Sequence, residues 1–270
     1  PRSTLFPYTT LFRSSYTNFI LMQIIKPVYA EYQKRLAEAK EIDFTDAIIR
    51  ATKICERMPV RHYDYILVDE FQDISIDRYH FLLALRSGDE QSKLFCVGDD
   101  WQSIYRFSGS DMSLFSRYEN YFGATDRCNI ESTHRFGQPL VKESSRFIKR
   151  NPIQVQKDVK PMPNMETELT FHKYSGDREM DQYKLVRQIL STILAAEKIY
   201  LLGRYTFDAE ILNVADNVTY DDKRGRITVL IDGREIPFLT VHSSKGLEAD
   251  HVILLNCNEG MFPSNITDDP

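Results

Sequence analysis

Long apolar runs are missing from this 270-residue sequence: stretches such as Val252 to Leu255 last only a few residues, against the ~20 needed to cross a bilayer. No membrane partner is expected. Cysteine is scarce, and none of the four is paired in a C-x-x-C pattern, which argues against a zinc site or a disulfide framework. Cys55, Cys96, Cys128 and Cys257 are instead expected to be buried thiols of a cytoplasmic protein. Charge of one sign is not in excess. The net value of -5 excludes a uniformly basic, histone-like surface but leaves room for a local basic groove. There is no internal repeat, no low-complexity run, and no ordered succession of charged, apolar and cleavage regions that would mark a secretory signal. What is present is 42% hydrophobic, 12% aromatic and 27% charged residues, the profile of a folded soluble chain with one large domain or two ordinary ones.

Residues 1–14, with two prolines and scattered aromatics, have no period and read as a non-native or disordered leader. From Tyr16 to about Arg57, apolar residues recur every three or four positions, predicting two or three helices. Asp43-Phe44-Thr45-Asp46 supplies an acidic first turn to the second periodic stretch. After Pro59 the period changes. Tyr65 to Val68 and Lys93 to Val97 are continuous apolar runs, predicted as buried parallel strands, with helical spacing from Ile76 to Leu85 between them. Such a strand, helix, strand unit gathers its polar groups at the strands' carboxyl ends, where ligands bind.

A second set follows: a short strand at Cys128 to Ile130, a helix from Gln138 to Ile148 and a connector from Asn151 to Asn164. Beyond it come a strand at Glu168 to Tyr174, a helix from Asp177 to Ala196 and a strand at Ile199 to Leu202. A hairpin turning on Asp232-Gly233 and a last buried strand at Val252 to Leu255 complete the set. The fold class is α/β.

Four segments carry chemistry. Asp69-Glu70, at the end of the first strand, offers one carboxylate to hold Mg²⁺ through water and a neighbour to activate an attacking water; acids also end strands simply to reach solvent. Gly98 to Asp111 places Gln102, suited to sensing a γ-phosphate, five residues before Phe107, which with Tyr105 suits stacking on unpaired bases. Tyr105 and Phe107 equally fit core positions at alternating spacing. Thr240 to Glu248 turns from a strand into small, polar and basic residues that suit phosphate contact, or an ordinary solvated turn. Arg135 precedes a helix, as a surface charge would.

In this order, L-V-D-E-F-Q-D, V-G-D-D-W-Q-S-I-Y-R-F-S-G-S-D, T-H-R and T-V-H-S-S-K-G-L-E resemble motifs II, III, IV and V of superfamily 1A DNA helicases, the UvrD/Rep group, nearest to its bacterial helicase IV branch. The resemblance runs from about Tyr16 to Ser264. It implies parts of two RecA-like parallel-sheet domains after an N-terminal helical segment: residues 15–60 helical, 61–123 the partial first domain, and 124–270 the partial second.

It also implies that ATP and Mg²⁺ are cofactors. Asp69 would hold Mg²⁺, Glu70 would activate water, and Gln102 would sense the γ-phosphate. Arg135 would act as an arginine finger, with Gly246 and Glu248 serving the ribose. Tyr105 and Phe107 would stack on single-stranded DNA, with Thr240 and His242 near its backbone, and a 3′-tailed duplex would be the substrate. His134 stands where the family usually has a tyrosine that stacks on adenine, Phe107 replaces its usual tryptophan, and Ser108 its usual arginine.

Two family features are not found. No G-x-x-x-x-G-K-S/T occurs, and nothing matches motif VI, so the chain is expected to be an internal helicase fragment inactive alone. The interval from Arg204 to Thr240 has room only for a hairpin in place of the accessory 2B domain. The alternative is a degenerate, non-hydrolysing module that binds single-stranded DNA or a partner protein. A phosphohydrolase using the acids alone lacks a phosphate cradle.

Overall fold

The computed structural model describes residues 15–58, 63–86, 92–152, 154–174, 178–214, 216–221 and 225–258. The leader expected at 1–14 lies outside them. The chain is α/β with parallel sheets and an N-terminal helical segment, and it forms two compact units. One runs to Ile130 and takes in Arg146–Asp158; the other is Glu131–Ser145 with Val159 onward.

The first unit begins with helices α1 (Ser15–Ala39) and α2 (Phe44–Arg57). The acidic segment between them works as a cap. Asp43 accepts from the Asp46 N–H at 2.7 Å, satisfying one of the donors left open at a helix start. Tyr32 and Gln33 of α1 donate to Asp43 and Asp46, so the same carboxylates also tie the two helices together. Strand β1 (Tyr65–Val68), helix α3 (Ile76–Arg86) and strand β2 (Lys93–Cys96) make the expected parallel unit, in register from Tyr65 opposite Lys93 to Val68 opposite Cys96. Short helices α4 (Met112–Ser116) and α5 (Tyr118–Phe122) pack against it around Phe71, Ile74, Leu82 and Leu114. The expectation of fully buried strands needs correction. Only one face of this two-stranded sheet is covered by that cluster, which leaves Leu67 74% and Phe95 58% exposed.

The second unit holds strand β3 (Ser132–Thr133), the start of helix α6 (Leu140–Ile148), strand β4 (Lys160–Pro161) and helix α7 (Arg178–Leu190). After these come β5 (Ile199–Gly203), β6 (Val218–Asp221), β7 (Arg226–Ile231), β8 (Arg234–Thr240) and β9 (His251–Leu254). The main sheet has the order β6-β7-β8-β5-β9, with β8, β5 and β9 parallel. Its core joins Val186 and Leu190 of α7 to Leu201, Val229, Ile231, Ile236 and Phe238. Asp232 (φ 50°) and Gly233 (φ 78°) are both left-handed, as the predicted type I′ hairpin requires.

Several expected elements differ. Cys128 to Ile130 forms no strand and leaves Ile130 80% exposed; pairing starts at Ser132 opposite Lys160. Glu168 to Tyr174 makes no strand either, because its apolar side chains, Phe171 above all, face solvent instead of a sheet partner. Helix α7 stops at Leu190, short of Ala196, where the Ser191 and Thr192 hydroxyls donate to the carbonyls of Gln188 and Ile189 and compete with the helix ladder. Strand β9 lies at the sheet edge with Val252 and Leu254 partly open. The cysteines are free, but Cys128 and Cys257 are exposed and Cys55 and Cys96 only half-buried, because the runs that hold them are not enclosed on both faces. Among the described residues no helix is long and apolar enough to cross a membrane.

Candidate functional site

In the first unit the chain leaves β1 through Asp69 and Glu70, both exposed. Glu70 is left-handed (φ 50°, ψ 42°), and its N–H donates to Asp69 Oδ1 at 2.8 Å. This turn sends the chain into a single 3₁₀ turn, Phe71–Asp73, whose first two side chains are buried. Phe71 anchors the hydrophobic cluster, and Gln72, fully buried, reaches back toward the acids.

Gln72 links two segments that the sequence shows only separately. Its Nε2 donates to Glu70 Oε2 at 2.5 Å, and its Oε1 accepts from the Asp99 N–H at 2.9 Å. A Cβ on Gly98 would lie 2.6 Å from Gln72 Oε1 and 2.9 Å from Phe115, so the close approach needs glycine there. Asp99 caps the next 3₁₀ turn by accepting from Trp101 N–H at 3.1 Å, and its Oδ2 accepts from Gln102 Nε2 at 2.7 Å. Glu70, Gln72, Asp99 and Gln102 thus form one hydrogen-bonded chain from the acid pair to the second motif.

Asp99 is anchored further by Lys157, which also donates to buried Asp100 at 3.0 Å. Burial pushes the Asp99 carboxyl up, but the bonds from Lys157, Gln102 and Trp101 outweigh it and hold the group below the usual carboxylate range.

The same loop is pinned at its far end: Asp111 N–H donates to Ile74 O at 2.8 Å, and Ser110 bridges Ser75. Between the pins, Tyr105 and Phe107 meet edge to face with ring centroids 6.0 Å apart. Phe107 is 77% exposed, so the core reading does not hold for it.

In the second unit, Thr133 of β3 receives Arg135 N–H on its hydroxyl at 3.3 Å. Arg135 Nε stands 3.6 Å from Glu248 Oε2, an exposed ion pair that joins two of the predicted residues. His134 beside it is exposed. The loop after β8 is closed by Thr240 and Ser243, which exchange hydroxyl and backbone bonds of 2.9 to 3.1 Å. His242 lies within this turn. Gly246 (φ 79°) adopts the left-handed conformation that favours glycine, and among the described residues other than its chain neighbours no atom lies within 4 Å of where a Cβ would be.

Sequence reasoning missed Gln72, Asp99, Asp100 and Lys157. Gln72 sat inside a motif already singled out, and only its burial separates it from the polar residues beside it. Lys157 sits in a polar connector with no local signal.

The UvrD/REP helicase N-terminal domain family matches residues 10–123. DNA helicase IV of Escherichia coli (strain K12) is 32% identical over 246 residues, covering 90% of this chain and 34% of that protein. The ATP-dependent DNA helicase PcrA of Bacillus subtilis (strain 168) is 28% identical over 170 residues, 61% of this chain and 22% of that protein. The ATP-dependent DNA helicase UvrD1 of Mycobacterium leprae (strain TN) is 27% identical over 214 residues, 74% of this chain and 26% of that protein. The chain spans about a third or less of the length of these curated relatives.

Proposed function

The chain belongs to the UvrD/REP helicase family, and from that premise we propose that it carries part of the motor of an ATP-dependent helicase moving 3′ to 5′ on single-stranded DNA. In this reading Asp69 holds Mg²⁺ and Glu70 activates the attacking water. Among the described residues no group of three or more His, Cys, Asp or Glu makes a metal cage. One exposed carboxylate with a carboxylate neighbour suits Mg²⁺, which keeps waters and takes phosphate oxygens from the nucleotide. Gln102 senses the γ-phosphate, Arg135 stabilises charge on the transferring group, His134 faces the base, and Gly246 and Glu248 serve the ribose. Tyr105 and Phe107 stack on bases, while Thr240 and His242 contact the DNA backbone.

The observation that carries the reading is the hydrogen-bonded chain from Glu70 through Gln72 and Asp99 to Gln102. In this reading the base and the sensor share one hydrogen-bonded support, and the sensor's own loop goes on to present the exposed Phe107. A group that reports the nucleotide state and a ring that takes a base are then five residues apart on one pinned segment, which is what coupling of hydrolysis to movement requires.

The test uses the full-length protein of the same gene, with a 3′-tailed duplex and ATP. DNA-stimulated hydrolysis and unwinding support the motor. DNA binding with no hydrolysis supports the degenerate module instead. The chain as it stands has no glycine-rich lysine loop to cradle the phosphates and hydrolyses ATP negligibly in this reading.

A further inference from the structure

Residues 154–158 return to the first unit from far along the chain and run beside the second motif. Val155 N–H donates to Asp100 Oδ2 at 2.7 Å, and Trp101 Nε1 donates to Val155 O at 3.1 Å. Lys157 Nζ donates to Asp99 Oδ1 and to Asp100 Oδ1, and stands 4.8 Å from the centroid of the Trp101 ring. Its side chain is only 16% exposed, and that of Asp100 only 2%.

One ammonium therefore serves two adjacent carboxylates, that of Asp100 nearly desolvated and that of Asp99 36% exposed. The division of labour on Asp99 gives this a consequence. Oδ1 takes Lys157 and the Trp101 N–H, which leaves Oδ2 aimed at Gln102 Nε2. Without the ammonium, Asp99 and Asp100 repel each other at short range in a poorly screened site. The less buried Asp99 is the one able to turn to solvent, and turning would release Gln102.

We propose that Lys157, which lies outside every motif, is a positioning residue that sets the orientation of Gln102 through Asp99. The inference rests on the reading of Gln102 as the nucleotide sensor. It makes the 154–158 strap part of the motor's timing, not merely of its packing.

The test is a double-mutant cycle in the full-length protein. Lys157→Met should lower kcat on the order of ten- to a hundred-fold, the range expected when a reacting group is misplaced by about an ångström, with KM for ATP little changed. It should also weaken the change in DNA affinity that ATP causes. In a Gln102→Ala background, Lys157→Met should cost nothing further in kcat, because the group it positions is gone. A loss that multiplies with that of Gln102→Ala, or an unchanged kcat for Lys157→Met, would overturn the proposal.

Should Lys157→Met fail to fold, the pair Lys157→Met with Asp100→Asn removes the buried charge together with its partner. Because the pair also removes the repulsion between Asp99 and Asp100, its kcat is expected to recover toward wild type, and a pair as impaired as Gln102→Ala overturns the proposal. Wild-type protein without DNA-stimulated hydrolysis defeats the helicase reading and this inference together. Active wild type, impaired Gln102→Ala and unimpaired Lys157→Met defeat this inference alone.

Discussion

Gln72 donates to Glu70 at 2.5 Å with one end of its buried amide and accepts from the backbone of Asp99 at 2.9 Å with the other. An amide can serve a carboxylate with its NH₂ and an N–H with its oxygen at once. Neither glutamate nor leucine can replace it there.

Gln72→Leu should therefore destabilise the chain by ~1–3 kcal/mol, the usual cost of leaving a buried polar group unsatisfied. Gln72→Glu should destabilise further, by setting a second carboxylate against Glu70. Denaturant unfolding of both variants checks the order. A leucine variant as stable as wild type would show that the bridge contributes nothing.

Asp99 provides a pH test. Its carboxyl lies below the usual range because hydrogen bonds outweigh the upward push of burial. A depressed value in the folded state means stabilisation that is fully present above the ordinary carboxylate range and is lost as pH falls through the depressed value. Asp99→Asn should lower the melting temperature at neutral pH and show a smaller further drop on acidification than wild type. An equal drop in both would show that Asp99 does not titrate in this way.

Phe107 separates binding from packing. At 77% exposure, truncation to alanine should change stability by no more than ~0.5 kcal/mol, far from the ~3–5 kcal/mol of a core phenylalanine. Affinity of the full-length protein for single-stranded DNA should fall by ~1–3 kcal/mol per stacked base. Thermal melting beside fluorescence anisotropy on labelled oligonucleotide reads both, and a destabilised variant with unchanged DNA affinity would reverse the assignment.

The parts that were legible in the sequence are those where a local pattern has one physical solution. The parallel pair β1 and β2, the Asp232-Gly233 hairpin and the acidic cap at Asp43 all follow from period, turn chemistry and capping. The parts that were not legible depend on what else packs nearby. Leu67 and Phe95 read as buried because an apolar run does not say whether both faces are covered. Phe171 read as a strand residue because alternation does not supply a partner strand. At the site, Asp69, Glu70 and Gln102 stand out because their types and spacing are chemical. Lys157 does not, since its role exists only once a strap 58 residues away along the chain folds against Asp99.

If Asp69 holds the metal and Glu70 supplies the base, nucleotide binding and turnover must separate when the base alone is removed. In the full-length protein, Glu70→Gln keeps the shape and the amide contact while abolishing proton abstraction. ATP affinity, read with a fluorescent nucleotide, should stay near wild type, while DNA-stimulated phosphate release falls on the order of a hundred- to ten-thousand-fold. Affinity and turnover lost in equal measure, or turnover left intact, would contradict it.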